Sequence, residues 1–290
     1  INAIWRAKEW KPEGIVSASS LRDIIGEKDE LSTIAYPFKK LNEITKGIRP
    51  ATLVTICAGS GVGKSTFVTE IAYALQKVGM LMLEETNKRT VQGLIAVHMN
   101  TNFVQEADLA TREEIEKSHD DLLKDTDIEL WDHFGSSSLD VVVNRIQYMV
   151  RATGCQHIIL DHISILVSGL TGEVSDERRL IDLIMHKLRT TVQELGITLF
   201  LVSHLKRPQG IGHEAGAKVE LSQLRGSHSI AQLADQCIGL QVNAEDPSDD
   251  TREIVVLKNR FTGQVGFAGR LKYHRSQSRL LEISDMDSKF

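Results

Sequence analysis

The sequence predicts an α/β fold, a mostly parallel sheet flanked by helices with antiparallel strands added at the C-terminal end. Between Thr52 and Val202, short apolar runs alternate with stretches whose apolar residues recur at helical spacing. A glycine-rich turn separates the first apolar run from the first helix. After Cys237 the pattern changes to strand-like runs divided by turn residues alone. Continuous apolar runs are what parallel strands covered on both faces require, whereas short turns can join only antiparallel ones.

Taken in order, the first forty residues contain Trp5, Trp10 and a short helical stretch from Ser20 to Ile25, without sustained periodicity. They are read as an N-terminal arm or linker (1–40), followed by one main domain (41–283) and a tail (284–290). Thr52 to Cys57 is the first strand, and Ser65 to Val78 the first long helix, with Phe67, Val68, Ile71, Ala72 and Leu75 on one face. A strand at Met80 to Leu83, helices within Arg89 to Asn100 and Arg112 to Lys124, and a strand at Ile128 to Trp131 follow. Ser136, Ser137 and Ser138 form a capping cluster ahead of a helix to Arg151. Next come the strand His157 to Leu160, a helix from Asp176 to Leu195 ended by Gly196, and the strand Ile197 to Val202. In the last third, Cys237 to Val242, Ile254 to Lys258, Val265 to Tyr273 and Leu280 to Ile283 read as antiparallel hairpins, with an acidic loop from Glu245 to Asp250.

Composition narrows the function. The chain has 290 residues, 41% hydrophobic and 25% charged, with 34 basic and 39 acidic side chains and a net charge of -5. That is globular composition, and it argues against coating nucleic acid by bulk charge while leaving room for a local basic surface. Residues 1–195 carry 22 basic and 28 acidic side chains and residues 196–290 carry 12 and 11, so the acidity lies mainly in the first part. Cys57, Cys155 and Cys237 are odd in number and sit in or beside apolar runs, which favours buried thiols and a reducing compartment. No run approaches the roughly 18 apolar residues of a membrane span. A start at Ile1 rather than Met suggests a piece of a longer chain.

The strongest chemical signal is Ala58-Gly59-Ser60-Gly61-Val62-Gly63-Lys64-Ser65-Thr66, a phosphate-binding loop with Ala58 in place of the usual first glycine. Glycines let backbone N–H groups turn inward on phosphate oxygens, Lys64 reaches the β and γ phosphates, and Ser65 supplies a Mg2+ ligand. A solvated lysine in a glycine turn is the competing interpretation. It loses because the motif lies between an apolar strand and an amphipathic helix. Asp161 closes the strand His157 to Leu160, as a Walker B aspartate does, and would be a second group at the metal. Glu84 and Glu85 follow another strand and include a base able to polarise water. His204 ends a third strand and could reach a γ phosphate, though a lone histidine there is as often a half-buried polar residue. His162 is a weaker candidate, and no zinc-type spacing of His, Cys and acids is present.

These motifs, with Leu224-Arg225-Gly226-Ser227 and Lys258-Asn259-Arg260-Phe261-Thr262-Gly263, stand in the order seen in hexameric DnaB-type replicative helicases. The chain resembles that family from about Leu41 to Tyr273. Within it the resemblance is closest to the helicase half of the primase-helicases of T-seven-type phages and more distant to mitochondrial Twinkle. The resemblance implies a RecA-like P-loop NTPase core assembled as a ring, usually of six, around single-stranded DNA, binding ATP or dTTP with Mg2+ between neighbours. It implies Glu84 as catalytic base, Asp161 as a Mg2+ group and His204 as γ-phosphate sensor. Gln232 would relay nucleotide state, Arg260 would be an arginine finger for the neighbour with Lys258 beside it, and Tyr273 would pack on the base. Lys206, Arg207 and Arg225 would hold DNA. Gly210-Ile211-Gly212 replaces a lysine-richer stretch, so contact there would rest on backbone groups, and Val242 stands where the phage relative has an arginine.

The resemblance also implies duplex unwinding at a fork with 5' to 3' travel, a primase domain or separate primase and a replicative polymerase as partners, and a location in the cytoplasm of an infected or bacterial cell, or the mitochondrial matrix for a Twinkle relative. A RecA-like strand-exchange ATPase and a non-translocating ATP switch share the core and remain the alternatives at this level.

Overall fold

A computed structural model describes residues 16–22, 34–135, 137–168, 177–206, 210–224, 227–242 and 250–283. Nine strands form one sheet: β1 (Thr52–Ala58), β2 (Lys77–Met82), β3 (Asp127–Leu130), β4 (His157–Asp161), β5 (Thr198–His204), β6 (Gln236–Val242), β7 (Thr251–Asn259), β8 (Gly266–His274) and β9 (Arg279–Ile283). Their spatial order is β3-β2-β4-β5-β1-β6-β7-β8-β9. The first six strands in that order run parallel and the last three pairings are antiparallel. Eight α-helices accompany them among the described residues: α1 (Lys39–Thr45), α2 (Lys64–Ala74), α3 (Asn87–Met99), α4 (Arg112–Asp125), α5 (Leu139–Thr153), α6 (Ile163–Ser168), α7 (Glu177–Leu195) and α8 (Ser227–Leu233).

The core lies on both faces of the sheet because side chains alternate along each strand. On one face Val54, Ile56 and Phe200 pack against Phe67, Ile71 and Leu94 from α2 and α3. On the other, Leu53, Cys57 and Leu199 meet Ile146, Ile184 and Leu188 from α5 and α7. All three cysteines are buried and free, and burial pushes the Cys237 thiol up to about 12. Caps fix helix starts where the sequence placed them: Ser138 accepts from Val141 N, and Thr111 and Glu114 form a reciprocal capping box.

Two expectations are corrected. The helix expected to reach Val78 ends at Ala74, because Leu75 turns into extended geometry and Val78 to Met82 pair with His157 to Asp161. Pairing in the sheet outweighs the helical spacing of that stretch. The run at Cys237 is also not wholly antiparallel. It pairs parallel with β1 on one side and antiparallel with β7 on the other, since α8 makes the crossover that precedes it.

The extension is tied back to the nucleotide-loop helix by charge. Glu70 of α2, 2% exposed, accepts from Arg279 Nε at 2.8 Å and from Leu280 N at 2.8 Å. Residues 34–40, inside the stretch expected as an arm, pack into the core: Phe38 stacks on Phe67 at 5.0 Å, and Tyr36 bonds Gln236. Trp5, Trp10 and residues 284–290 lie outside the described residues, as does most of the Glu245 to Asp250 loop.

Candidate nucleotide site

Four parallel strands, β1, β2, β4 and β5, end at one edge of the sheet and deliver the site. β1 leads into Gly59-Ser60-Gly61-Val62-Gly63, and α2 starts at Lys64. Gly61 and Gly63 adopt φ of 74° and 103°, the left-handed region that favours glycine, and a Cβ on either would meet nothing within 4 Å. Their glycines thus serve backbone shape. Val62 is buried beneath the loop, whereas Ser60, Gly61 and Ser65 are exposed.

Lys64 is 8% exposed and its Nζ donates to the His204 ring, 3.1 Å from Nδ1 and 3.2 Å from Nε2. Burial lowers the lysine's pKa, opposed by the carboxylates of Asp161 and Glu84. His204, at the end of β5, is pulled to about 4 by burial and then by the Lys64 ammonium, so it is neutral at pH 7. Asp161 closes β4, 4% exposed, and its Oδ1 has no hydrogen-bond partner among the described residues. Burial raises its pKa more than Lys64 lowers it. A buried carboxylate oxygen without a partner among the described residues, beside a buried lysine and an open glycine cradle, is what a nucleotide phosphate and a divalent cation would complete. The donor set therefore fits Mg2+ and a phosphate chain.

The adjacent acids are separated by their partners. Glu84 Oε1 lies 2.6 Å from His162 Nε2, and Oε2 lies 3.8 Å from His204 Nε2. Glu85 turns away, accepting from the Thr90 hydroxyl at 2.7 Å. His162, discounted in the sequence, is 5% exposed and packs edge-on to His204 with ring centroids 4.2 Å apart. It is the residue sequence reasoning missed, because its partner comes from another strand end. Glu84, His162 and His204 bring ligating atoms within 4.8 Å of one another, a grouping that spacing along the chain did not foresee. The Lys64 ammonium already supplies positive charge at that point, which disfavours a second cation there. We therefore read the trio as a cradle for the Glu84 carboxylate.

Ser65, Thr66, Glu85 and Tyr273 line a cleft of about 130 Å³ beside the phosphate loop. Lys206 is exposed directly after β5 and its backbone N–H donates to Gln223 O at 2.7 Å. Arg207 and Arg225 lie outside the described residues.

Gln232, Lys258 and Arg260 are not with Lys64. They gather at the opposite edge of the sheet, where β1 and β6 begin. Buried Asp235 accepts from Leu53 N at 3.0 Å, from Arg189, and from Arg260 Nη1 at 3.2 Å. Arg260 Nη2 donates to Gln232 O at 3.1 Å. Lys258 Nζ is committed to the carbonyls of Ala231, Gln232 and Ala234 at 2.5–3.0 Å, closing the C-terminal end of α8.

The model of the DnaB-like helicase C terminal domain matches residues 33–282. The DNA helicase/primase of Enterobacteria phage T3 is 36% identical over 289 residues, covering 95% of this chain and 51% of that protein. The replicative DNA helicase DnaB of Mycoplasma genitalium is 24% identical over 238 residues, 77% of this chain and 49% of that one. The chain thus spans about half the length of these curated relatives. A solved ATPase domain superposes with a TM-score of 0.75 at 20% identity, over 92% of this chain and 96% of that one. A DnaB-like replicative helicase, solved in a study of its interactions with primase, gives 0.73 at 19% identity over 92% and 67%. With an edge-of-sheet phosphate loop, the RecA-like order of its strands and a family match over most of its length, the chain belongs to the DnaB-like helicase C-terminal domain family.

Proposed function

We propose that this chain is the motor part of a replicative DNA helicase, an NTPase that works as a ring, six subunits being the family number, and pulls single-stranded DNA through its centre. The observation that carries this is the division of the catalytic groups. Lys64, Glu84, Asp161 and His204 converge at one edge of the sheet, while Arg260 stands at the other, out of direct reach of its own phosphate loop, which supports a role toward a second copy. Hydrolysis then depends on assembly.

Within one site, the loop 59–63 and Lys64 would bind the phosphates, and Ser65 and Asp161 would hold Mg2+. Bound Mg2+ would supply charge neutralisation on the phosphate oxygens. Glu84 takes the proton of the attacking water, held in reach by His162. Neutral His204 donates a hydrogen bond from its ring N–H to a γ-phosphate oxygen and reports its loss along β5 to the loop carrying Lys206. Tyr273 borders the base end of the cleft. ATP or dTTP is the nucleotide class, and a fork is the duplex substrate. A primase, fused or separate, and a replicative polymerase are the partners, in the cytoplasm of the cell that hosts replication.

The deciding experiment supplies the ring with a forked duplex, nucleotide and Mg2+. Strand displacement that requires hydrolysis, and is lost with Lys64→Ala, is expected. Hydrolysis stimulated by single strands but without displacement, together with homologous strand pairing, would support the strand-exchange alternative instead.

A further inference from the structure

The loop between β5 and α8 is pinned at its root and packed through its middle. Leu205 and Leu224 form an antiparallel bridge, and Lys206 N donates to Gln223 O at 2.7 Å. Deeper in the loop, Val219 is 4% exposed against β6, its N–H donating to Gln241 Oε1 at 3.1 Å, and Ala217 N donates to Gly212 O at 3.1 Å. Ahead of this packed part the loop is exposed at Gly210 and at Ile211, which is 67% exposed. A rigid middle with an exposed end passes a displacement inward, because a packed segment has no room to absorb it.

His213 is what the loop presents inward. It is 3% exposed, although it lies in a loop. Its Nδ1 donates to Ala217 O at 3.3 Å, which leaves Nε2 a buried acceptor with no partner among the described residues. Its side chain lies on Gly59, the first glycine of the phosphate loop: a Cβ there would be 2.4 Å from His213 Cβ and 3.1 Å from Cγ. Unlike Gly61 and Gly63, Gly59 shows no positive φ, so close approach of His213 is the reason for glycine at this position. Gly59, Ser60, Leu205, His213 and Glu214 together line one cavity of about 370 Å³ between the two loops.

We propose that His213 is a positioning residue that ties the strand-binding loop to the phosphate loop, so that DNA held at the loop's outer end sets the phosphate loop for hydrolysis. The inference rests on the helicase reading of that loop. His213 touches neither nucleotide nor DNA and acts through Gly59.

The test measures turnover of the assembled protein with and without oligothymidylate, and oligothymidylate affinity by fluorescence anisotropy, for the parent, His213→Ala, His213→Asn and Val219→Ala. His213→Ala should keep its DNA-free turnover and strand affinity while the stimulation by DNA falls by about fivefold or more, the scale of a typical coupling between sites. His213→Asn retains Cβ, Cγ and a donor toward Ala217 O, and should restore most of the stimulation. Val219→Ala loosens the loop away from both sites and should also lower the ratio, which keeps the idea testable if His213→Ala does not fold. Parent-like stimulation in both His213→Ala and Val219→Ala overturns the proposal, as does loss of strand affinity in proportion to lost stimulation. A parent protein that neither binds oligothymidylate nor responds to it overturns the helicase reading instead.

Discussion

Replacing Arg260 with alanine tests the shared site through geometry. Within its own chain Arg260 is held at Asp235, which also accepts from Leu53 N at the start of β1. The phosphate loop begins only after Ala58, at the other end of that strand. At about 3.3 Å per residue, the stretch from Leu53 to Ala58 separates the two by roughly 16 Å, beyond the reach of an arginine side chain. On the shared-site reading, a direct contribution of Arg260 to hydrolysis would be made to a second copy. Loss of a guanidinium supplied in trans should lower turnover by about a thousandfold or more. Folding should barely change, since half-exposed Arg260 leaves Asp235 still paired with Arg189 and Leu53 N, a cost of about 1 kcal/mol or less. The assay is DNA-free turnover of Arg260→Ala mixed with Lys64→Ala. A complete site needs a Lys64-bearing subunit beside an Arg260-bearing one, about one interface in four in an equal random mixture, so turnover should recover to roughly a quarter of the parent value. Turnover that stays at the level of the separate variants at every ratio, with mixed rings verified by native mass spectrometry, refutes the shared site.

Glu84→Gln should bind nucleotide normally and lose about a hundredfold or more in turnover, whereas Glu85→Gln, whose carboxylate serves Thr90, should lose far less; the reverse ranking would assign the base to Glu85. His157 bears on stability. It is 5% exposed with neither ring nitrogen partnered among the described residues, and burial lowers its pKa from 6.5 to about 4. Because the folded value lies below the unfolded one, the unfolded chain takes up the proton first. The folded state keeps its full stability from this group above about pH 6.5 and loses it as pH falls toward 4, by at most about 3 kcal/mol. His157→Leu should flatten that acid limb in urea titrations at pH 7.5 and 5, and an unchanged difference between the two would show that other groups set it.

What the sequence made legible was local. The phosphate loop carries its own glycines and lysine directly after β1, and β4 and β5 are apolar runs ended by a polar residue, so Lys64, Asp161 and His204 could be placed at one sheet edge from pattern alone. The choice between Glu84 and Glu85 could be made only by family resemblance, because it turns on a hydrogen bond from Thr90 in α3 and on His162 at the end of β4. The parallel pairing of β6 escaped notice because its crossover helix, α8, has seven residues and too few turns to show a period. Tyr36 and Phe38 read as part of an arm because two aromatics show no period, yet the core takes them in through Gln236 and Phe67. The contact of His213 with Gly59 left no trace in spacing, since either residue alone is an ordinary loop residue.

The two edges of the sheet are linked through the loop after β5, and this bears on how a ring could keep its sites in step. Through His213 the loop touches its own phosphate loop; beyond Leu224 the chain continues into α8, whose last carbonyls are held by Lys258 and Arg260 at the opposite edge. A shift of α8 along its axis would alter the Gln232 carbonyl to which the Arg260 guanidinium is bonded, and with it the group offered to the next subunit. The stiff strand β1 and buried Asp235 hold the frame against which that shift would occur, Asp235 being anchored to Leu53 and Arg189 whatever Arg260 does. On the helicase reading, one strand of DNA would thus bear on two nucleotides at once, the subunit's own by way of Gly59 and its neighbour's by way of Arg260. On the same reading a net negative chain would need no broad basic surface, because the grip would repeat around a ring while the response would be carried by packed side chains.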